Sequence, residues 1–164
     1  MVTENHTASR HDHDSDDVLR DVLNKVKIIA LVGASDKTQS PQYHVTEYLQ
    51  SQGYRVIPVN PRLAGQAVLG EAVYPTLADI PGPVDMVDIF RNSEAAGPIT
   101  DAAIAKGASY VWMQLTVRND EAAHRARAAG LTVVMDRCPK IEHRRLFGTP
   151  EPQTTAPVHA TPAR

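Results

Sequence analysis

The 164-residue sequence has a single cysteine, no long apolar stretch and almost no excess of charge. One cysteine, Cys138, excludes an internal disulfide framework and a metal site built from paired cysteines. With no run of about 18 apolar residues, no transmembrane helix is expected, and the polar N-terminal stretch lacks the apolar segment of a secretory signal. A net charge of -2 provides no general attraction to nucleic acid or to an anionic membrane. We therefore expect a cytoplasmic protein in which any anion site is local.

Both ends of the chain are poor in apolar residues. Residues 1–14 are polar and rich in His and Asp, and residues 148–164 are rich in Pro, Thr and Ala. Neither end can bury enough surface to offset its chain entropy, so we predict disordered tails around one domain over residues 15–147. The histidines of the first tail lie among aspartates, and we interpret that segment as solvated rather than as a metal site.

Between the predicted tails, apolar runs alternate with amphipathic segments, which we predict to be helices. Ser15 and Asn119 are suited to cap two of these helices, and Pro98 marks a late start or a bend in another. The strands are predicted over residues 26–33, 54–59, 84–90, 109–115 and 131–136. Five strands with mostly helical connections predict an α/β fold, a Rossmann-like doubly wound parallel sheet of five strands in the order 3-2-1-4-5. Ligands bind such sheets at the carboxyl ends of the strands, where the strand order reverses. We expect that point between the first and fourth strands.

The segments that follow the five strands are the candidate ligand contacts. They are Gly33-Ala34-Ser35, Asn60-Pro61-Arg62, Phe90-Arg91-Asn92, Gln114-Leu115-Thr116 and Asp136-Arg137-Cys138. The first loop has only Gly33 in place of a G-x-G-x-x-G fingerprint. It is longer and offers Lys37, Thr38, Gln39 and Ser40, and amides at the start of the next helix can bind phosphate. This pattern indicates an anion-binding turn, with a tight turn that binds nothing as the alternative.

The end of the second strand bears on the kind of nucleotide. An NAD-binding unit usually carries Asp or Glu there to hold the ribose hydroxyls, but this chain has Asn60 and Pro61, followed by Arg62. A cation without a carboxylate favours a ribose that bears a phosphate, as in NADP or coenzyme A. Arg62 alone is also explained as a solvated loop charge. Lys37 on the neighbouring loop strengthens the anion interpretation.

Residues suited to catalysis are few. The sequence contains no G-x-S-x-G nucleophile elbow, and His44 is interpreted as a surface or capping residue. Asp85 and Asp88 alternate with apolar residues and are interpreted as strand-end or supporting groups. Cys138 lies near basic residues that could lower its pKa, although a buried, inert thiol is the alternative. We assign no catalytic residue and no metal ligand.

Several motifs together resemble a known family. GYRVIPVNP, the Tyr74-Pro75 pair, VWMQL and the DRC…EH run occur in the order and spacing of the bacterial stand-alone CoA-binding domain proteins. These are similar to the N-terminal CoA-binding domain of the succinyl-CoA synthetase alpha subunit. The resemblance covers roughly residues 15–147 and implies a Rossmann-like fold with CoA as its ligand.

The resemblance also implies roles for individual positions. Residues 33–40 would meet the CoA phosphates, and residues 60–62 would lie beside the adenosine. Trp112 and Gln114 would line the path of the pantetheine arm. Further positions that match family motifs are Phe90, Arg91 and Cys138.

The chain departs from the family at Ser40, where the family usually has an arginine, so one candidate phosphate contact is missing. The synthetase's catalytic histidine belongs to a second domain that has no counterpart here. We therefore expect a non-catalytic module that binds CoA or acyl-CoA as a carrier, sensor or partner of another enzyme. The alternatives are an NADP-linked oxidoreductase, a CoA enzyme that uses Cys138, or a structural subunit, and a homodimer is compatible with the open sheet.

Overall fold

The computed structural model describes residues 15–148, and the predicted tails lie outside this range except for Gly148. The helices are α1 (Asp16–Lys25), α2 (Pro41–Ser51), α3 (Ser93–Lys106), α4 (Asp120–Ala128) and α5 (Pro139–Phe147). The strands are β1 (Ile28–Val32), β2 (Arg55–Val59), β3 (Ala67–Val68), β4 (Glu71–Ala72), β5 (Met86–Ile89), β6 (Tyr110–Met113) and β7 (Thr132–Val134). Every strand and helix that the sequence predicts is present, and the short pair β3–β4 is added between β2 and β5.

Helix ends follow from side chains that satisfy the first free amides. Ser15 Oγ accepts a hydrogen bond from the Val18 amide at 3.3 Å, and Asn119 Oδ1 accepts one from the Ala122 amide at 3.0 Å. Both residues act as N-caps, as their positions in the sequence predict. Helix α3 begins at Ser93, before Pro98, so the proline lies inside the helix rather than at its start.

The main sheet has the order β2-β1-β5-β6-β7, and all four pairings are parallel. The predicted class, a Rossmann-like parallel sheet of five strands, is confirmed. Counted over these five strands alone, the order is 2-1-3-4-5 rather than 3-2-1-4-5. The third strand, β5, pairs with β1 instead of lying beyond β2, and the strand order therefore reverses between β1 and β5.

Pro58 gives a physical reason for the position of β2 at the sheet edge. Proline has no amide hydrogen, so a strand that contains it is suited to an edge. The Pro58 carbonyl accepts from the Tyr74 amide at 3.1 Å, and the Asn60 amide donates to the Tyr74 carbonyl at 3.0 Å. The segment between β2 and β5 thus covers the edge where a further strand would have to pair.

Both faces of the sheet are covered, and each has its own core. One face packs against α1, α2 and α5 around the fully buried Leu31 and Trp112. The other packs against α3 and α4, with small residues such as Ala96 and Ala122 bringing the helices close to the strands. Because both faces are occupied, the free surface for a ligand is the edge at the carboxyl ends of the strands.

Candidate functional site

The loop after β1 turns sharply at Gly33. Its φ of +93° is a left-handed conformation, and a Cβ at this position would lie 2.3 Å from the Phe90 carbonyl oxygen. Only glycine fits both conditions. The Gly33 and Ala34 amides donate to the Val59 carbonyl at 2.9 and 3.3 Å. These two amides are therefore engaged within the protein, and the loop brings the ends of β1, β2 and β5 together.

The amides that are available for an anion lie a few residues further along the loop. Within the described residues, the amides of residues 35, 36, 38 and 39 donate no hydrogen bond. Ser40 Oγ caps α2 by accepting from the Tyr43 amide at 3.2 Å, and it donates to the Lys37 carbonyl at 2.8 Å. The Ser35 hydroxyl accepts from the Lys37 amide at 3.1 Å. The hydroxyls thus shape the loop, while its exposed amides are suited to bind a phosphate.

The loop after β2 is tied to the first loop. Asn60 Nδ2 donates to the Ala34 carbonyl at 2.8 Å, while Asn60 Oδ1 accepts from the Arg62 amide at 2.9 Å. The Nδ2 end of the Asn60 carboxamide therefore joins the two loops, and the Oδ1 end stabilises the turn of the loop after β2. The Arg62 side chain is left exposed at the outer side of the edge.

Two clefts at this edge have Arg91 in their walls. The larger has a volume of about 900 Å³ and is lined by Pro41, Gln42, Val45, Phe90, Arg91, Asn92, Ser93, Gln114, Leu115, Thr116, Val117, Cys138, Lys140 and Ile141. The smaller, of about 250 Å³, is lined by Val32, Gly33, Val59, Pro61, Pro75, Thr76, Leu77, Arg91, Pro98, Ile99 and Ala102. Arg91 lines both, beside Gly33, and therefore marks the place where the two clefts meet.

Positive charge collects at the same edge. Lys37, Arg62 and Arg91 form no ion pair with any of residues 15–148, whereas Arg55, Arg125 and several other arginines of the described chain do. Unpaired cations on three successive loops produce a local positive potential in a chain that is slightly acidic overall. This supports a local anion site of the kind that the composition predicts.

The floor of the larger cleft holds Gln114 and Cys138, which are 4% and 6% exposed. Burial raises the pKa of the Cys138 thiol. Behind Gln114 lies Asp88, which is fully buried, with each carboxyl oxygen 3.4 Å from Gln114 Nε2. Burial raises the pKa of Asp88 to about 8, so the protonated form predominates at pH 7. A protonated thiol is a poor nucleophile, which argues against covalent catalysis by Cys138.

One residue assigned to the site by resemblance lies elsewhere. Trp112 is fully buried in the core on the side of α1, α2 and α5, and it lines neither cleft. Its indole N–H donates to the Arg137 carbonyl at 2.8 Å. Trp112 thus supports the turn that leads to Cys138 and is not itself placed to line the path of a ligand.

The cleft walls contain residues that the sequence did not single out. Val45 and Ile141 come from the helices α2 and α5, and Pro98 and Ile99 come from α3. Apolar residues on helices look the same in a sequence whether they face the core or a cleft, so no signal marked them. The cleft also contains strained backbone at Thr116, whose φ is +70° and whose amide donates to Asp136 Oδ1 at 2.7 Å.

Across residues 15–148, no three His, Cys, Asp or Glu side chains lie close enough together to hold a metal ion. None of the helices in this range is both long and apolar enough to cross a bilayer.

Comparison with known proteins shows the family and the fold of the chain. A family model described as a CoA binding domain matches residues 27–144. The Bacillus subtilis protein YneT is 34% identical over 125 residues, which cover 76% of this chain and 91% of the relative. A solved hypothetical protein from Pyrococcus horikoshii is 42% identical with a TM-score of 0.78, and the match covers 82% of this chain and 93% of that one.

A larger enzyme contains a similar domain. The dinucleotide-forming acetyl-coenzyme A synthetase of Candidatus Korarchaeum cryptofilum, solved with phosphate and ADP, is 25% identical with a TM-score of 0.57. The match covers 65% of this chain and 25% of the synthetase chain. The fold described here therefore occurs both in small proteins and as one part of a large one.

Proposed function

Since the chain belongs to the CoA-binding domain family, we propose that it binds coenzyme A or an acyl-CoA across the two clefts. The observation that carries this proposal is the position of Arg91, which lines both clefts and forms no ion pair within the described residues. CoA has a nucleotide at one end, a flexible arm at the other and a diphosphate between them. A cation between a small cleft and a large one is suited to such a ligand.

The ligand's adenosine would occupy the smaller cleft, between Pro61 and the apolar side chains of Leu77 and Ile99. Its diphosphate would lie at Arg91 and at the free amides of residues 35, 36, 38 and 39. Exposed Arg62, next to the smaller cleft, would then meet the ribose 3′-phosphate. The loop directly after β2 carries no carboxylate to hold free ribose hydroxyls, which favours this ligand over NAD.

The pantetheine arm would extend through the larger cleft towards Gln114 and Cys138. Its apolar walls suit the hydrocarbon parts of the arm, and its volume of about 900 Å³ leaves room for an acyl group. The raised pKa of Cys138 disfavours a thiolate at the end of this path. We therefore propose a non-catalytic role, as a carrier, a sensor or a partner of an enzyme that uses acyl-CoA.

Calorimetric titration with CoA, dephospho-CoA and NADP tests the proposal. We expect CoA to bind more tightly than dephospho-CoA, because only CoA carries the 3′-phosphate. Arg62→Gln should abolish this difference, whereas Arg91→Gln should weaken both ligands. Arg20→Gln, on exposed α1 and away from the clefts, is the matched control and should change neither affinity.

Each contrary result has a definite meaning. Failure of CoA to bind would refute the proposal, and preference for NADP would favour the oxidoreductase alternative. Equal binding of CoA and dephospho-CoA would show that Arg62 does not contact the 3′-phosphate. Light scattering with and without CoA would test separately whether the chain forms the homodimer that an open sheet allows.

A further inference from the structure

Asp88 is a buried acid whose presence the fold itself does not require. It lies on β5, between Leu31 of β1 and Trp112 of β6, and it is fully buried. Within the described residues, its carboxyl group has one hydrogen-bonding partner, Gln114 Nε2, and no basic side chain pairs with it. An aliphatic side chain of similar size would avoid the cost of burying a polar group. A hydrogen-bonding side chain at this fully buried position therefore points to a role beyond packing.

Gln114 connects Asp88 to the larger cleft. The Gln114 side chain lines the cleft floor, and its Nε2 faces the two Asp88 oxygens. Its Oε1 accepts no hydrogen bond from residues 15–148. Among the side-chain nitrogen and oxygen atoms of this range, only Thr100 Oγ1 is both buried and without a hydrogen-bond partner. Because Gln114 Oε1 also has no partner, it is not buried and remains accessible from the cleft. The carboxamide thus has one end directed at Asp88 and an acceptor oxygen free for a ligand.

The orientation of a glutamine carboxamide depends on its partners, because its oxygen and nitrogen ends have nearly the same shape. Asp88 keeps at least one acceptor oxygen in either protonation state, so it can hold the NH₂ group inward. Without such an acceptor, the carboxamide can turn and present NH₂ to the cleft instead. The Asp88 side chain therefore determines whether Gln114 presents a hydrogen-bond acceptor or a donor to the cleft.

The following inference rests on the proposed function. We propose that Asp88 is a positioning residue that turns Gln114 Oε1 towards the cleft. There the Gln114 oxygen accepts a hydrogen bond from an amide N–H of the pantetheine arm. The arm has two secondary amides, and each needs an acceptor when water is displaced. Asp88 would not touch the ligand. It would act only through the orientation of Gln114.

The test compares CoA with adenosine 3′-phosphate 5′-diphosphate, the part of CoA that lacks the arm. Asp88→Asn keeps one acceptor and one donor, as the protonated acid has, and is the conservative control that should bind CoA as the wild type does. Asp88→Leu removes both oxygens that face Gln114 Nε2, so nothing holds the NH₂ group inward. We expect this variant to bind CoA about five- to tenfold more weakly, the effect of losing one hydrogen bond. Its affinity for the fragment should equal that of the wild type, because the fragment does not reach Gln114.

Gln114→Met gives a second measurement that does not depend on the folding of Asp88→Leu. It keeps the length of the side chain but removes the acceptor, so it should weaken CoA and leave the fragment unchanged. In the double variant the losses should not add, because both changes remove the same contact. A purely structural role would weaken CoA and the fragment together.

The outcomes separate this inference from the proposed function. If the wild type binds neither CoA nor the fragment, the proposed function fails and the inference fails with it. If the wild type binds CoA and the Asp88→Leu and Gln114→Met variants bind it equally well, only the inference fails. Equal losses for CoA and the fragment would also overturn it, since they would indicate a general change of structure.

Discussion

Asn60 Nδ2 donates a 2.8 Å hydrogen bond to the carbonyl oxygen of Ala34, which joins the loop after β2 to the loop after β1. The other end of the same carboxamide accepts from the Arg62 amide. One side chain therefore sets the spacing between the two loops that carry Lys37 and Arg62. In the proposed binding mode, the diphosphate and the ribose phosphate depend on that spacing.

Asn60→Ala should lower the free energy of unfolding by about 1–3 kcal/mol, because the Ala34 carbonyl and the Arg62 amide both lose a partner. CoA affinity should fall as well, since the two loops lose their connection. Urea unfolding and calorimetry measure the two effects. Asn24→Ala, on the exposed side of α1, is the control; a similar loss of stability there would contradict the specific role of Asn60.

Gly33→Ala should destabilise the protein by about 2–4 kcal/mol, because the new Cβ meets the Phe90 carbonyl and the residue keeps a positive φ. Gly53→Ala provides a matched comparison. Gly53 has nearly the same φ, +95°, but a Cβ there meets nothing within 4 Å. It should lose only about 1 kcal/mol. Equal losses in thermal or urea unfolding would show that the close approach to Phe90 does not matter.

Asp88 should make stability depend on pH. The folded protein keeps the Asp88 proton up to about pH 8, whereas the unfolded chain releases it near pH 4. The folded state therefore binds one more proton between these values, and this group's contribution lowers the free energy of unfolding as pH rises through that window, by up to about 1.4 kcal/mol per unit. Asp88→Asn removes the effect, so the stability of the variant relative to the wild type should increase from pH 5 to pH 8. Parallel curves in urea unfolding would show that Asp88 ionises normally.

Cys138 should react slowly with iodoacetamide at neutral pH. Burial raises its pKa, so the midpoint of the rate against pH should lie above the ordinary value of about 8.5. Because Cys138 lies on the floor of the larger cleft, CoA should slow the reaction further. The chain unfolded in urea provides the reference rate. A midpoint below that of the unfolded chain would support the alternative that the protein is a CoA enzyme that uses Cys138.

Trp112→Phe should lower stability without changing the site. It removes the hydrogen bond to the Arg137 carbonyl and leaves space in the core, which together should lower the free energy of unfolding by about 2 kcal/mol. CoA affinity should change less than twofold, because Trp112 lines neither cleft. A tenfold loss of affinity in the folded variant would favour the role that the family resemblance implied.

The sequence predicted the elements well because their signals are local. Apolar runs marked the strands, and capping residues such as Ser15 and Asn119 marked helix starts. The order of the strands depended on pairings between distant segments. Pro58 carried a relevant signal, since a strand with proline is suited to an edge, but the edge became evident only from the bonds to Tyr74.

The same distinction between local signals and distant contacts applies to the candidate site. The sequence by itself determined which loops follow the strands, and therefore that Lys37, Arg62 and Arg91 lie at one edge of the sheet. Only the tertiary structure decided that the Gly33 amide is already bonded to Val59, that Arg91 stands between two clefts, and that Asp88 lies behind Gln114. The physical reason is that chain connectivity places strand ends together whatever their side chains are. Hydrogen-bond partners and cleft walls instead depend on contacts between residues far apart in the chain.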